Sequence, residues 1–429
     1  MNLLIYTLCL FVFIAIKIPI SFSLVLSSAV YLAFLTDLDF IILPQQMIAG
    51  VNSFPFIACP LFVLLGEFMH YSGATLRLVN MSRVFVGHIR GSLAHISILT
   101  SMLMAGIQGA AISDAAAVGS ILIPAMKKDG YPANFAAALI AAASVLGPII
   151  PPSISFVIYG SLGNVSIGRL FLGGFFPGVL VGIFLMIYSY IIARGEKYRG
   201  TLTPFELKSV FPGLRQGMVP MVIPIIVVGG IIGGLFTPTE SSAIAALVAL
   251  FLGVVIYRKI GRKEFLNCLL NTVYMLGSLV FLLGASATFG WIITIEGGAQ
   301  LLADGLRAIT DSPLVMMLMI NALLFFLGLF VEAVPLIIML TPILLPITTK
   351  MGYDPVHFGV IMTLNATIGL TSPPVGACIF VTCKLADVSI DSFTRAIIPL
   401  YIPLLLGLLV TILFPELVMF LPNLLMPIH

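Results

Sequence analysis

The chain has 429 residues, 60% of them apolar and only 9% charged, with a net charge of +3. Soluble domains run at about half apolar and a quarter charged, so a water-soluble fold is excluded, and so slight a basic excess excludes a nucleic-acid surface. Five cysteines (Cys9, Cys59, Cys268, Cys378, Cys383) stand apart in apolar surroundings with no CxxC pair, and read as buried small side chains.

In chain order, apolar runs cover 2–16 and 18–35 around Lys17, then 53–69, 168–193, 217–235, 241–257, 268–293 and 396–420. Each is expected to cross a hydrocarbon core of about 30 Å as a helix, since a bilayer admits only helices or closed barrels. The first run has no Lys or Arg ahead of it and predicts a transmembrane helix, not a cleaved signal peptide. The expected class is an all-α polytopic membrane protein.

Between these spans the pattern changes twice. ATLRLVNMSRVFVGHIR (74–90) is amphipathic and predicts an arm on the membrane surface. Residues 92–128 then carry two apolar arms around the small, polar AGIQGAAISDAAAVGS, with Arg90 before and Lys127-Lys128 behind, which predicts a re-entrant helical hairpin. VLGPIIPPSISF (145–156) follows, and its prolines break the helix expected over 132–161. Arg194 to Gln216 is the longest polar segment and reads as a loop. The second half repeats the order: the arm GAQLLADGLRAI (298–309), a hairpin over 313–349 with the tip VEAVP, and a helix over 355–386 broken at TIGLTSPPVGACIF (367–380).

With the N-terminus outside, Lys17, Arg77, Arg83, Arg90, Lys127, Lys128, Arg194, Lys197, Arg199, Lys208, Arg215, Arg258, Lys259, Arg262, Lys263, Lys384 and Arg395 fall inside. That is 17 of 20 basic residues, with Arg169, Arg307 and Lys350 outside, the bias expected of cytoplasmic loops. This topology requires that the two hairpins do not cross.

The halves are also related by sequence. A shift of 222 lays ILIPAMKKDGYPANF (121–135) on ILLPITTKMGYDPVHF (343–358), Pro151-Pro152 on Pro373-Pro374 and Pro177 on Pro399; with one residue inserted, NVSI (164–167) falls on DVSI (387–390). Five crossings separate the copies, so the second is expected upside down. An inverted repeat with interrupted helices is a secondary-transporter plan, with sites near the midplane where the helices break. Irregular backbone is tolerated at that depth only where protein or a wet cavity satisfies it.

AGIQGAAISDAAAVGSILIPAM (105–126), GPIIPPS (147–153), LTPILLPI (340–347) and IGLTSPPVG (368–376), in this order, resemble the large membrane subunit of tripartite ATP-independent periplasmic (TRAP) transporters, the DctM type, over essentially the whole chain. The resemblance implies an elevator-type carrier in a bacterial inner membrane, driven by sodium. It also implies a small four-helix membrane subunit of DctQ type, a periplasmic solute-binding protein and a small organic acid such as a dicarboxylate or sugar acid. One departure stands out: Gly106-Ile107-Gln108-Gly109-Ala110 occupies a tip that usually reads nearer Gly-Ile-Ser-Gly-Ser, so two hydroxyls are absent. On this plan residues 1–70 are scaffold helices, 71–193 the first repeat, 194–262 a cytoplasmic loop with scaffold helices and 263–429 the second repeat.

Acids within such segments are functional candidates. Asp114 and Glu332, at the hairpin tips, read either as site elements or as helix caps; Glu67 reads as a solvated helix end and Glu240 as an N-terminal cap. Sodium favours hard oxygen ligands, so one cage is expected from Gly106, Ser113, Ser144 and Gly147, and another from Gly328, Asn365, Gly369 and Thr371. Substrate is expected between the tips near Ser153 and Ser372, met by half-helix N-termini. The histidines (His70, His88, His95, His357, His429) are dispersed and predict no transition-metal site, and no Gly-rich nucleotide loop is present. A self-sufficient anion carrier of the same plan, and an intramembrane enzyme, are the alternative readings.

Overall fold

Caps and prolines set many of the helix starts. Thr237 and Glu240 close a reciprocal capping box, so Glu240 is the cap its position predicts. Ser166 accepts from the Arg169 N–H and Ser389 from that of Ser392, while Pro238, Pro313, Pro355 and Pro415 sit in first helical turns, where a missing donor costs nothing.

The computed structural model describes residues 2–52, 54–195, 198, 200–202, 207–373 and 376–427, without the side chains of 54 and 207–210. Lys197, Arg199, Pro374, His429 and the Lys208 side chain lie outside the described residues. Within them the chain is helical throughout, with no strand. In order the helices are α1 (Asn2–Ala15), α2 (Ile20–Phe34), α3 (Ile42–Val51), α4 (Ala58–Tyr71), α5 (Ala74–Val86), α6 (Ser92–Gln108) and α7 (Ala111–Lys128). Then come α8 (Ala133–Ser144), α9 (Ile154–Gly163), α10 (Ile167–Ile192), α11 (Leu207–Ile232), α12 (Pro238–Phe251), α13 (Arg262–Ile295) and α14 (Gly298–Arg307). The last seven are α15 (Pro313–Gly328), α16 (Ala333–Lys350), α17 (Pro355–Gly369), α18 (Ala377–Ala386), α19 (Ile390–Ile397), α20 (Tyr401–Leu413) and α21 (Pro415–Leu425).

Among the described residues, six helical stretches are long and apolar enough to cross a membrane, and a seventh arises if the bent pair α3–α4 counts as one. The expectation of two full-length spans before residue 36 is corrected. Lys17 takes a left-handed φ of 68° and Pro19 follows it, leaving α1 and α2 with 14 and 15 residues. At about 1.5 Å per residue neither reaches 30 Å. They pack on each other, joined by a Tyr6–Ser28 hydroxyl contact of 3.0 Å.

The repeat is visible in the backbone. Gly130 and Gly352, 222 residues apart, turn out of α7 and α16 with φ of 89° and 88°. After the one-residue insertion, Asn164 and Asp387 end α9 and α18 with φ of 51° and 57°, and Ser166 and Ser389 cap the helices that follow.

The broken helices form the centre. Nearly every residue of α8 and α17 is buried. The half-helices then cross over: α9 packs on α16 and α18 packs on α7, so each repeat's broken helix locks against the other repeat's hairpin. Around this core, α11 packs on α5 and α6, α12 on α4, and α13 on α2, α3, α4 and α16.

Candidate functional site

Each hairpin tip rests on the helix break of its own repeat. At the first, a Cβ on Gly109 (φ +63°) would stand 2.6 Å from the Pro152 carbonyl oxygen, and one on Gly147 would stand 3.1 Å from the Ala110 backbone. The Ile154 N–H, at the start of α9, donates to the Gly109 carbonyl at 3.4 Å. At the second, a Cβ on Gly369 would lie 2.8–3.0 Å from the backbone of Gly328. These glycines are there because backbone meets backbone, and any side chain would prise tip from break.

Between the tips lies a cavity of about 490 Å3. Its walls are Gly109 to Ser113 at the first tip, Pro148, Ile154 and Ser155 at the first break, Glu332 to Pro335 at the second tip and Leu370 at the second break, closed by α2, α4 and α13. Three helix N-termini, those of α7, α9 and α16, contribute their first turns to it. Their positive dipole ends suit an anion, together with the first-turn N–H groups not already taken, as those of Ile154 and Phe156 are in α9. No Lys or Arg is among the lining residues; the one charged side chain is the Glu332 carboxylate. An adjoining cavity of about 250 Å3 shares Ser113, Ile112 and Ile154 and reaches Glu67, whose carboxylate accepts from Asn271 at 2.9 Å.

Of the residues expected to form the site, Ser113 and Glu332 line the cavity. Gly106 faces the Pro151 carbonyl oxygen and Pro224 of α11. The Ser144 hydroxyl donates to the Ala141 carbonyl at 2.7 Å, and Thr371, just past α17, to Ile368 at 2.8 Å, local bonds that leave each oxygen's lone pairs free. Asn365 donates to the Asn321 backbone and side-chain oxygens at 2.9 and 2.8 Å, while its own carboxamide oxygen is buried without a partner.

Ser153 and Ser372 are not among the lining residues. Ser153 caps α9, accepting from the Phe156 N–H at 3.2 Å and donating to the Pro148 carbonyl at 2.5 Å. Ser372 is engaged by the Tyr401 hydroxyl at 2.9 Å, which also reaches the Thr371 carbonyl oxygen. The cavity's hydroxyls come instead from Ser21, Ser113, Ser155 and Ser278. Asp114 does not cap α7: it is fully buried beside the Ser101 hydroxyl, and among the described residues neither carboxylate oxygen is within ordinary hydrogen-bond geometry of a donor. Glu332 holds the N-cap position of α16 but makes no side-chain capping bond.

The family model described as "Tripartite ATP-independent periplasmic transporter, DctM component" matches residues 7–417. The chain belongs to this family. It is a multi-pass membrane transporter, not an enzyme. It is 39% identical over 95% of both chains to the sialic acid TRAP transporter large permease protein SiaM of Vibrio cholerae. It is 37% identical to the isethionate TRAP transporter permease protein DctMQ of Oleidesulfovibrio alaskensis, over 95% of this chain and 64% of that one. Among solved structures, MtrF of Neisseria gonorrhoeae, from a class of antimetabolite efflux pumps, superposes with a TM-score of 0.60 at 15% identity, over 94% of each chain, a likeness of fold alone. Membership in the DctM family sets aside the intramembrane enzyme.

Proposed function

We propose that the chain is the permease subunit of a bacterial inner-membrane system that takes up a small organic anion together with sodium. The observation that carries this reading is the cavity between the two tips: three helix N-termini meet there, and its lining holds a carboxylate and no basic side chain. An anion in such a place is met by backbone dipoles, hydroxyls and co-bound cations. Sodium fits the oxygens on offer, namely the break carbonyls, the lone pairs of Ser144 and Thr371, and the unpartnered oxygens of Asn365 and Asp114. The named relatives carry sialic acid and isethionate, both organic anions.

A small four-helix membrane subunit of DctQ type and a periplasmic solute-binding protein complete the proposed system; the relative named DctMQ, longer than this chain, accords with the first. The N-terminus is proposed to lie in the periplasm, a reading supported by the basic-residue bias. The hairpins are proposed to re-enter the membrane from opposite faces. With α8–α9 and α17–α18 they are proposed to move as one elevator body against α11 and α12, a reading supported by the crossed packing of α9 on α16 and α18 on α7.

Uptake by proteoliposomes holding all three components, measured against sodium concentration, tests the coupling. Uptake that needs a sodium gradient and both partners is expected; sodium-independent uptake overturns the coupling, and full uptake by this chain alone overturns the need for partners. Cysteine pairs between α11 and α8 test the motion. Cross-linking that does not change between inward- and outward-favouring conditions overturns the elevator.

A further inference from the structure

Away from the transport cavity, a second cavity of about 490 Å3 opens where the arm α5 meets α11 and the end of α12. Among the described residues its lining includes Arg77, Arg215, Phe211, Ile256 and Tyr257, and no acid. The Arg77 guanidinium lies 3.9 Å over the Tyr257 ring, which fixes its position without neutralising it. The Tyr257 hydroxyl is buried and has no hydrogen-bond partner. Arg215 is exposed.

The groove sits at the head of an apolar stripe. Phe211, Arg215, Met218, Val222 and Ile225 recur three or four residues apart and so share one face of α11. Phe211, Met218, Val222 and Ile225 are 75%, 58%, 42% and 65% exposed. Two cations at one end of a greasy stripe match an amphiphile with an anionic head. The stripe's bulky side chains do not suit a docked helix, which favours small residues. Of the α11 glycines, Gly213 and Gly217, the two nearest the groove, pack against Val84 and Met81 of α5, and only Gly229, at the far end, is open.

We propose that this groove binds the phosphate headgroup of an anionic phospholipid, held by Arg77 and Arg215 with its acyl chains along the exposed face of α11. Basic pockets between membrane helices are known to take such headgroups, and a guanidinium is suited to phosphate geometry. The site would tie the arm α5 to α11 through a lipid.

The test uses the purified full-length chain in detergent micelles doped with phosphatidylglycerol or phosphatidylcholine, with bound lipid read by native mass spectrometry. Selective retention of phosphatidylglycerol is expected, reduced about fivefold by Arg215→Gln and again by Arg77→Gln, the size expected for one basic group each at a lipid surface. Arg215→Gln alters only an exposed side chain, so it remains informative if Arg77→Gln unfolds the arm. Arg215→Lys should retain most of the binding. An equal loss in Arg262→Gln, outside the groove, overturns the proposal in favour of diffuse surface charge. Displacement by inorganic phosphate overturns the lipid as the occupant. Unchanged lipid retention, with loss of the small membrane subunit in the arginine variants, overturns it in favour of a protein contact.

Discussion

At the first hairpin tip Gln108 and Asp114 are buried, whereas at the second Phe330 is 48% exposed and Glu332 stands open to the cavity. The first tip is backed by surrounding helices: Pro224 of α11 lies against Gly106, and Gly66 of α4 faces Gln108. The second tip, like the first, touches its break backbone to backbone, here at Gly328 and Gly369. Two copies of one backbone plan have thus acquired different surroundings. The first encloses its carboxylate, and the second leaves its carboxylate exposed.

The largest expected effect follows from that backbone contact. Gly369→Ala places a methyl group 2.8–3.0 Å from the Gly328 main chain, which cannot yield as a side chain would. Gly147→Ala meets Ala110 at 3.1 Å and needs a smaller shift. Overpacking of this kind costs about 1–3 kcal/mol, so uptake is expected to fall roughly tenfold or more in Gly369→Ala and only a few-fold in Gly147→Ala. Equal losses, measured as initial uptake rates per inserted protein, would break the comparison.

The carboxylates come next. Asp114 is fully buried with no basic side chain bonded to it among the described residues, and a buried charge is costly unless a cation or proton accompanies it. Asp114→Asn is expected to lower sodium-driven uptake about tenfold, the scale of one lost charged interaction, and Glu332→Gln far less. If Glu332→Gln proves the more harmful, the second tip is the charged site and the roles of the two hairpins exchange.

How far the sequence carried this picture depends on what each residue's neighbours are. The hairpin bounds, both helix breaks and the shift of 222 were legible because glycine, proline and small-polar clusters act locally, and Gly130 and Gly352 keep the same φ. Glu240 was legible for the same reason, its cap partner being Thr237. The hydroxyls were not. Ser153 and Ser155 differ by two positions, and only the cross-over of α9 onto α16 decides which one lines the cavity. Asn321 and Tyr401 were missed because their partners, Asn365 and the Thr371–Ser372 break, lie 44 and about 30 residues away. The one available signal was an amide alone in the apolar arm MMLMINALLFF. The short α1 and α2 were misjudged because apolar length alone does not register the turn at Lys17.

Tyr401 sharpens the comparison further, because its hydroxyl bridges to the second break while Val179, 222 residues earlier, has none to offer the first. Tyr401→Phe removes the hydroxyl shared between the Thr371 carbonyl and Ser372, at about 1 kcal/mol per hydrogen bond, and is expected to slow uptake a few-fold by loosening Thr371 and Ser372. Unchanged uptake and sodium dependence would show that the second break holds its shape without this anchor.

The smallest effects are expected at Ser144 and Thr371, one per repeat. Each hydroxyl donates to a carbonyl three residues back, so its proton is committed to the helix while its lone pairs remain available to a cation. Removal to Ala deletes one neutral ligand from a proposed cage that keeps its glycine carbonyls and its Ser113 or Asn365 side chain, and costs folding no more than about 1 kcal/mol. Ser144→Ala and Thr371→Ala should therefore raise the sodium concentration for half-maximal uptake a few-fold and leave the maximal rate nearly intact. The two breaks differ in one respect that makes the pair informative: Thr371 sits where Tyr401 also holds the backbone, whereas the Ser144 hydroxyl lies 3.5 Å from the Cys378 sulfur of the other repeat. A shift in Ser144→Ala alone would place the sensitive ion beside the buried first tip. A shift in Thr371→Ala alone would place it beside the accessible second tip, and no shift in either would remove both hydroxyls from the proposed cages.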